Sequence, residues 1–218
     1  SVDLKTEAGR NVFVDLAKRA DVVMEGFRPG VVKRLGIDYD SIKKANPRLV
    51  YASFSGYGQD GPYRDMPGHE LNYAALSGLL GLTGKRDSAP AIPGTLVADW
   101  SGGLSGGVAI LAALVARQRS GKGQFLDVSI ADAVTEVTSV PINPYLYKRG
   151  TVPQRGETIW TGMYPWYNVY QTKDGKYVAI ATLEAKFFAN LCRLLGCEEF
   201  IPHQFDAGQK REEMFRSF

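Results

Sequence analysis

An α/β fold is predicted by three features of this 218-residue sequence. Short β-rich runs alternate with amphipathic helical stretches from residue 1 to about 156. The run 48–55 is apolar on both faces, as a strand covered on two sides must be. A loop dense in glycine and proline, 56–67, follows that strand directly, where α/β folds place ligand loops. In order, Thr6 and Glu7 open a helix to about residue 20, with Val12, Val14, Leu16 and Ala17 on its apolar face. Residues 20–27 read as a strand. Arg28-Pro29-Gly30 is a turn, and Pro29 suits the first position of a short helix over 31–35. Asp40 or Ser41 caps another short helix to about 45. After the strand 48–55 and its loop, residues 68–82 read as a helix. A long helix starts near Asp99 and ends before Gly121, residues 124–129 form a third strand, and 130–140 a further helix. Prolines and glycines between 141 and 162 break the periodic pattern and mark a linker. Beyond it, 166–170 and 177–181 flank Lys173-Asp174-Gly175, a hairpin signal, and 187–195 is an amphipathic helix. The expected organisation is a large domain over 1–150, a linker over 151–161 and the start of a small α+β domain over 162–218.

Composition narrows the function classes. Hydrophobic residues make up 44% and charged residues 22%, which is globular rather than disordered. The net charge of +3 is spread too evenly for a nucleic-acid partner, whose footprint is a dense basic stripe. Cys192 and Cys197 match neither a zinc nor a C-x-x-C redox spacing, so no disulfide scaffold and no metal is expected. The longest strictly apolar run, 108–116, falls far short of the roughly 20 residues that cross a bilayer. No membrane partner is expected, and without a secretory pattern at the start the expected compartment is the cytoplasm.

Three constellations could carry chemistry. In Gly68-His69-Glu70-Leu71-Asn72-Tyr73, a histidine stands beside a carboxylate at the entrance of a predicted helix, where the positive helix end disfavours imidazolium and leaves a neutral base. The plainer alternative is a capping or packing histidine. In the run 96–107, Asp99 begins the long helix, and Gly102-Gly103 and Gly106-Gly107 leave its first turns bare, as a site for an oxyanion or phosphate requires. The alternative is close helix packing with an Asp cap. In the third, Arg28, Lys33 and Arg34 surround the junction from strand 20–27 to helix 31–35 and could grip phosphates, or could be a solvated charged face.

Together these segments resemble the class III coenzyme A transferase family (CaiB/BaiF type), which also contains the α-methylacyl-CoA racemases. The resemblance rests on residues 20–36, Asn46-Pro47-Arg48-Leu49-Val50-Tyr51, the loop 55–63, the His69 segment, Asp99-Trp100-Ser101-Gly102-Gly103, residues 121–128, and 170–188 with Leu183-Glu184. It implies a partial Rossmann-like large domain plus the start of a small domain, the chain being the middle of a longer subunit. It also implies an acyl-CoA substrate with CoA as part of it rather than a bound cofactor, and an interlocked homodimer. Arg28 and Arg34, with Tyr57 and Gly58 of the glycine loop, would then contact CoA, and Glu184 would lie near the site.

The racemase branch resembles this sequence in the histidine at 69 and in a catalytic aspartate 30 residues on, at Asp99. Racemisation next to a thioester needs one group to take the α-proton and another to return a proton to the opposite face. His69 and Asp99 are the expected pair, Glu70 orients His69, and backbone amides at one helix start hold the enolate oxygen. The expectation is therefore a 2-methylacyl-CoA racemase. The first alternative is a CoA transferase working through an acyl-glutamyl intermediate on Glu70. The second is a non-catalytic CoA-binding or oligomerising fragment.

Overall fold

Residues 49–52 are almost completely withdrawn from solvent, which makes strand β2 (Val50–Ser55) the centre of a sheet. The computed structural model describes residues 1–148 and 152–218. Strands β1 (Val22–Glu25) and β3 (Phe125–Ser129) pair with β2 in parallel, in the order β1-β2-β3, with Val22 opposite Val50 and Tyr51 opposite Phe125. All three strands lie where the β-rich runs predicted them. Helix α1 (Glu7–Ala17) begins at Thr6, whose hydroxyl accepts from the Gly9 amide at 3.1 Å. Its Ala17 packs with Ile42, Leu49 and Tyr51 in one apolar cluster.

Several boundaries differ from expectation. Gly30, not Pro29, stands immediately before α2 (Val31–Leu35), because the chain enters that helix through a left-handed residue (φ +81°) that proline cannot adopt. Asp38, not Asp40 or Ser41, caps α3 (Tyr39–Ile42), its carboxylate accepting from the Ser41 amide at 3.0 Å. The expected helix 68–82 divides into α4 (Glu70–Leu76) and α5 (Leu79–Leu82) at Gly78, whose φ of +83° ends the first helix. The long helix α6 (Val97–Ser120) ends at Gly121 as predicted. The helix expected over 130–140 is α7 (Ile130–Val137) followed by α8 (Ser139–Lys148). Pro141 sits in the first turn of α8, where a missing N–H forfeits no bond, and Pro144 lies inside the helix, where it removes one bond without ending it.

The described residues form two compact units, 1–79 with 93–139, and 80–92 with 140–218. In the first, Tyr73, Ala98, Ala131 and Val134 make a second apolar cluster joining α4, α6 and α7. Helix α6 is long and apolar enough to span a bilayer by length and composition alone, yet its inner side packs in this unit through Ala98, Ser101, Gly102, Gly106 and Ala113. The second unit contains the antiparallel hairpin β4 (Tyr167–Gln171) and β5 (Tyr177–Ala181), α9 (Ala185–Leu195) and α10 (Gln209–Ser217). Trp166, Phe188, Cys192, Cys197 and Met214 fill its core, and the Trp166 indole donates to the Gln204 carbonyl at 2.7 Å. Residues 80–92 belong to it because the Arg155 guanidinium donates to the carbonyls of Gly81 (2.7 Å) and Ser88 (2.6 Å), and Arg86 pairs with Glu157 at 3.1 Å. Residues 149–151 of the expected boundary and linker lie outside the described residues.

Candidate active site

Glu70 ties two helix starts together. As the first residue of α4, it directs its carboxylate at the start of α6, where one oxygen accepts from the Ala98 amide and the other from the Asp99 amide, both at 2.9 Å. A carboxylate there satisfies two of the donors a helix start leaves unpaired and sits at the positive end of the helix dipole. The clamp fixes the neighbours of both partners. Adding the 3.8 Å step from Glu70 to His69 to the length of a glutamate side chain and one hydrogen bond keeps the Cα atoms of His69 and Asp99 within about 13 Å. His69 is the residue immediately before α4, exposed, with its amide donating to the Asn72 side-chain oxygen at 3.0 Å. Asp99 lies in the first turn of α6, also exposed. The His69 side chain closes a capping box on α4, facing the Asn72 backbone amide, as the capping alternative expected, whereas the Asp99 carboxylate has no hydrogen-bond or ion-pair partner among the described residues.

The clamp overturns one expectation. The first-turn amides of α6 are not bare, because Glu70 takes those of Ala98 and Asp99, and Val97 and Trp100 donate to the Thr95 and Leu96 carbonyls. The glycine pairs divide, Gly103 and Gly107 facing open space and the other two serving packing. A Cβ on Gly102 would stand 2.9 Å from Ile130, and one on Gly106 would collide with the Phe54 ring, so these two glycines let α6 approach β2 and α7. Aromatic rings support the His69 turn. Tyr73 donates to the Gly68 carbonyl at 2.7 Å, and Tyr57 meets the Tyr73 ring edge-on with centroids 5.2 Å apart. Burial raises the Tyr73 hydroxyl's pKa, with smaller upward contributions from Tyr57 and from the charge of Asp99.

A second group of residues lies beside β1 and the loop 56–67. The Glu25 carboxylate accepts from the Phe27 amide at 2.8 Å and from the Ser53 hydroxyl, which fixes the turn carrying Arg28. Arg28, Lys33 and Arg34 are exposed and have no ion pair among the described residues. Gly58 faces the Asp127 carboxylate, which also accepts from the Gln59 amide at 2.9 Å and so anchors the loop to β3. Burial raises the Asp127 pKa; the Gln59 hydrogen bond opposes that shift, and the charges of Asp60 and Asp132 add to it. Sequence reasoning missed Arg64, whose guanidinium stands beside that of Arg34 above Gly30. Its only sequence signal was a cation inside the glycine loop.

Glu184 belongs to the second unit, immediately before α9, with its carbonyl accepting from the Phe187 and Phe188 amides and its side chain exposed. Among the described residues, no three His, Cys, Asp or Glu side chains come together as metal ligands.

Residues 1–216 match the family model described as CoA-transferase family III. Over 215 residues the chain is 37% identical to alpha-methylacyl-CoA racemase of Mus musculus, covering 95% of this chain and 55% of that protein. It is also 37% identical over 199 residues to acetyl-CoA:oxalate CoA-transferase of Acetobacter aceti, covering 91% and 50%. The crystal structure of a CaiB/BaiF family protein from Brucella suis superposes with a TM-score of 0.78 at 32% identity, over 96% of this chain and 55% of that one. The chain thus spans about half the length of these relatives. A family model matched across nearly its whole length, on an α/β fold shared with a solved family structure, establishes that the chain belongs to CoA-transferase family III.

Proposed function

We propose that this chain carries the acid–base pair of an acyl-CoA racemase acting on a 2-methylacyl thioester. The observation that carries the reading is the Glu70 clamp, which holds an exposed histidine and an exposed, unpaired aspartate at adjoining helix starts. The pair holds one proton between its two members. With His69 neutral and Asp99 protonated, His69 takes the α-proton, the electron pair moves into a thioester enolate, and Asp99 returns its proton to the opposite face. In the reverse direction Asp99 is the base and the His69 imidazolium the acid. Glu70 is a positioning residue, and Arg28 and Arg34 hold the CoA phosphates as charge-assisted donors. The working protein is a cytoplasmic homodimer.

A second reading, CoA transfer, is favoured by the transferases among the relatives and by the exposure of one carboxylate. Attack on a thioester carbonyl expels CoA thiolate and forms an acyl-carboxylate anhydride, from which an acceptor acid later regenerates a thioester. Glu70 is poorly disposed for this step, since attack would break both of its amide bonds, each worth about 1.5–3 kcal/mol. Asp99 carries the open carboxylate. The test is incubation with a 2-methylacyl-CoA in heavy water without an acceptor acid. Deuterium uptake at C2 with loss of optical purity supports racemisation. Absence of exchange, with hydroxylamine trapping an acyl group on Asp99, replaces it with transfer.

A further inference from the structure

The peptide unit that precedes His69 is held at both ends by side chains of α4. The Gly68 carbonyl accepts from the Tyr73 hydroxyl at 2.7 Å, and the His69 amide donates to the Asn72 side-chain oxygen at 3.0 Å. Because a peptide unit is planar, fixing its oxygen and its nitrogen fixes the plane, and with it the position of the His69 Cα. The following carbonyl is held as well, the His69 oxygen accepting from the Asn72 amide at 2.8 Å and the Tyr73 amide at 3.3 Å. An exposed residue at a helix entrance is thereby given a fixed extended backbone, with φ −135° and ψ 176°. Its side-chain torsions are the freedom that is left.

The Tyr73 ring and the Tyr73 hydroxyl serve different ends. The ring, only 6% exposed, packs with Ala98, the neighbour of Asp99, and meets Tyr57 of the glycine loop edge-on. The His69 turn, the start of α6 and the loop 56–67 thus meet at one side chain. Two glycines make room for it. A Cβ on Gly56 or on Gly68 would stand 2.7 Å from the ring, so a side chain at either position would push the ring aside. All of this packing a phenylalanine would meet equally, and the hydroxyl adds the bond to the Gly68 carbonyl. Burial raises the hydroxyl's pKa, which keeps it a donor throughout the pH range in which a histidine base works.

We propose that Tyr73 is a positioning residue for the His69 base, its hydroxyl acting with the Asn72 side chain to pin the Gly68–His69 peptide and so aim the imidazole before substrate arrives. Such advance alignment is what a proton transfer at one carbon rewards, since a small misplacement of the base costs rate rather than binding. The proposal rests on the racemase reading for the reaction that the base performs, and on the two hydrogen bonds for the pin itself.

The test joins stereospecific exchange with a readout of the histidine itself. Tyr73→Phe keeps the ring and removes the hydroxyl. Asn72→Ala releases the other end of the peptide from an exposed position, which keeps the test decisive if the buried substitution disturbs the fold. Deuterium exchange is followed on the 2-methylacyl-CoA enantiomer that His69→Ala fails to exchange, and the imidazole resonances of His69 and His203, the two histidines of the chain, are recorded by NMR. Each variant is expected to lower kcat for that enantiomer at least about tenfold with KM within about twofold of the parent, and to shift or broaden the His69 resonance alone. An unmoved His69 resonance overturns the proposal whatever the exchange rate, and so does unaltered exchange in both variants of an active parent. Movement of both histidine resonances together marks a general loosening and overturns it too. A change confined to the His69 resonance, in a chain whose parent exchanges neither enantiomer, upholds the pin and rejects the racemase reading.

Discussion

Removing the Glu70 carboxylate perturbs the account at its narrowest point. Glu70→Ala deletes the two hydrogen bonds at 2.9 Å to Ala98 and Asp99 and leaves both amides to water. Hydrogen bonds to a charged group contribute about 1.5–3 kcal/mol each, and an anion at a helix start adds about 0.3–1 kcal/mol. Glu70 is partly exposed, so water recovers a share of this. A net loss of about 3 kcal/mol follows, which for a chain of this length lowers Tm by roughly 6–12 °C. Glu70→Gln retains one acceptor oxygen and is expected to lose about half as much. Differential scanning calorimetry reads the stability, and the deuterium exchange rate on a 2-methylacyl-CoA reads the alignment of His69 with Asp99. Both variants should slow exchange more than they weaken CoA binding, because the residue positions the pair without touching CoA. A Tm within 2 °C of the parent on the order expected for a neutral surface change, with exchange unaltered, would refute the clamp.

Other consequences are as specific. Gly106→Ala drives a methyl group into the Phe54 ring and should destabilise by about 1–3 kcal/mol, whereas Gly107→Ala on the same helix meets nothing and should stabilise by up to about 1 kcal/mol; thermal unfolding of the two compares them directly. Burial holds the Asp127 pKa above 3.8 in the folded chain, so the folded state binds the proton more readily than the unfolded one. Stability should therefore fall as pH rises from 3.8 through the raised folded value. Asp127→Asn removes that slope, which urea titrations at a series of pH values detect.

The fold was legible where a signal was local. The Thr6 cap, the apolar run of β2, the Gly121 stop and the Lys173-Asp174-Gly175 hairpin turn each act on neighbours within a few residues. Choices between adjacent candidates were not legible in this way. Asp38 and Asp40 are equivalent as capping side chains, and the packing of Ile37 and Ile42 in the core sets which of them stands at the helix start. Pro141 read as a break because its place in a first turn depends on where α8 begins. The site followed the same division. His69, Asp99 and the cations around Arg28 were visible as residue types at helix starts. The cap that Glu70 provides spans 28 residues to Ala98 and exists only once α4 and α6 have packed. Arg64 approaches Arg34 across a loop, so no spacing announces it.

The central claim is that His69 and Asp99 work on opposite faces of one carbon. Its most direct measurement follows the C2 proton of each enantiomer of a 2-methylacyl-CoA separately in heavy water, with the parent chain, His69→Ala and Asp99→Ala. The account predicts that the parent exchanges and inverts both enantiomers. Each variant should lose inversion while retaining exchange of the single enantiomer whose proton faces the surviving base, and CoA binding should be unchanged. Inversion persisting in either variant, or the same enantiomer exchanging in both, would contradict it.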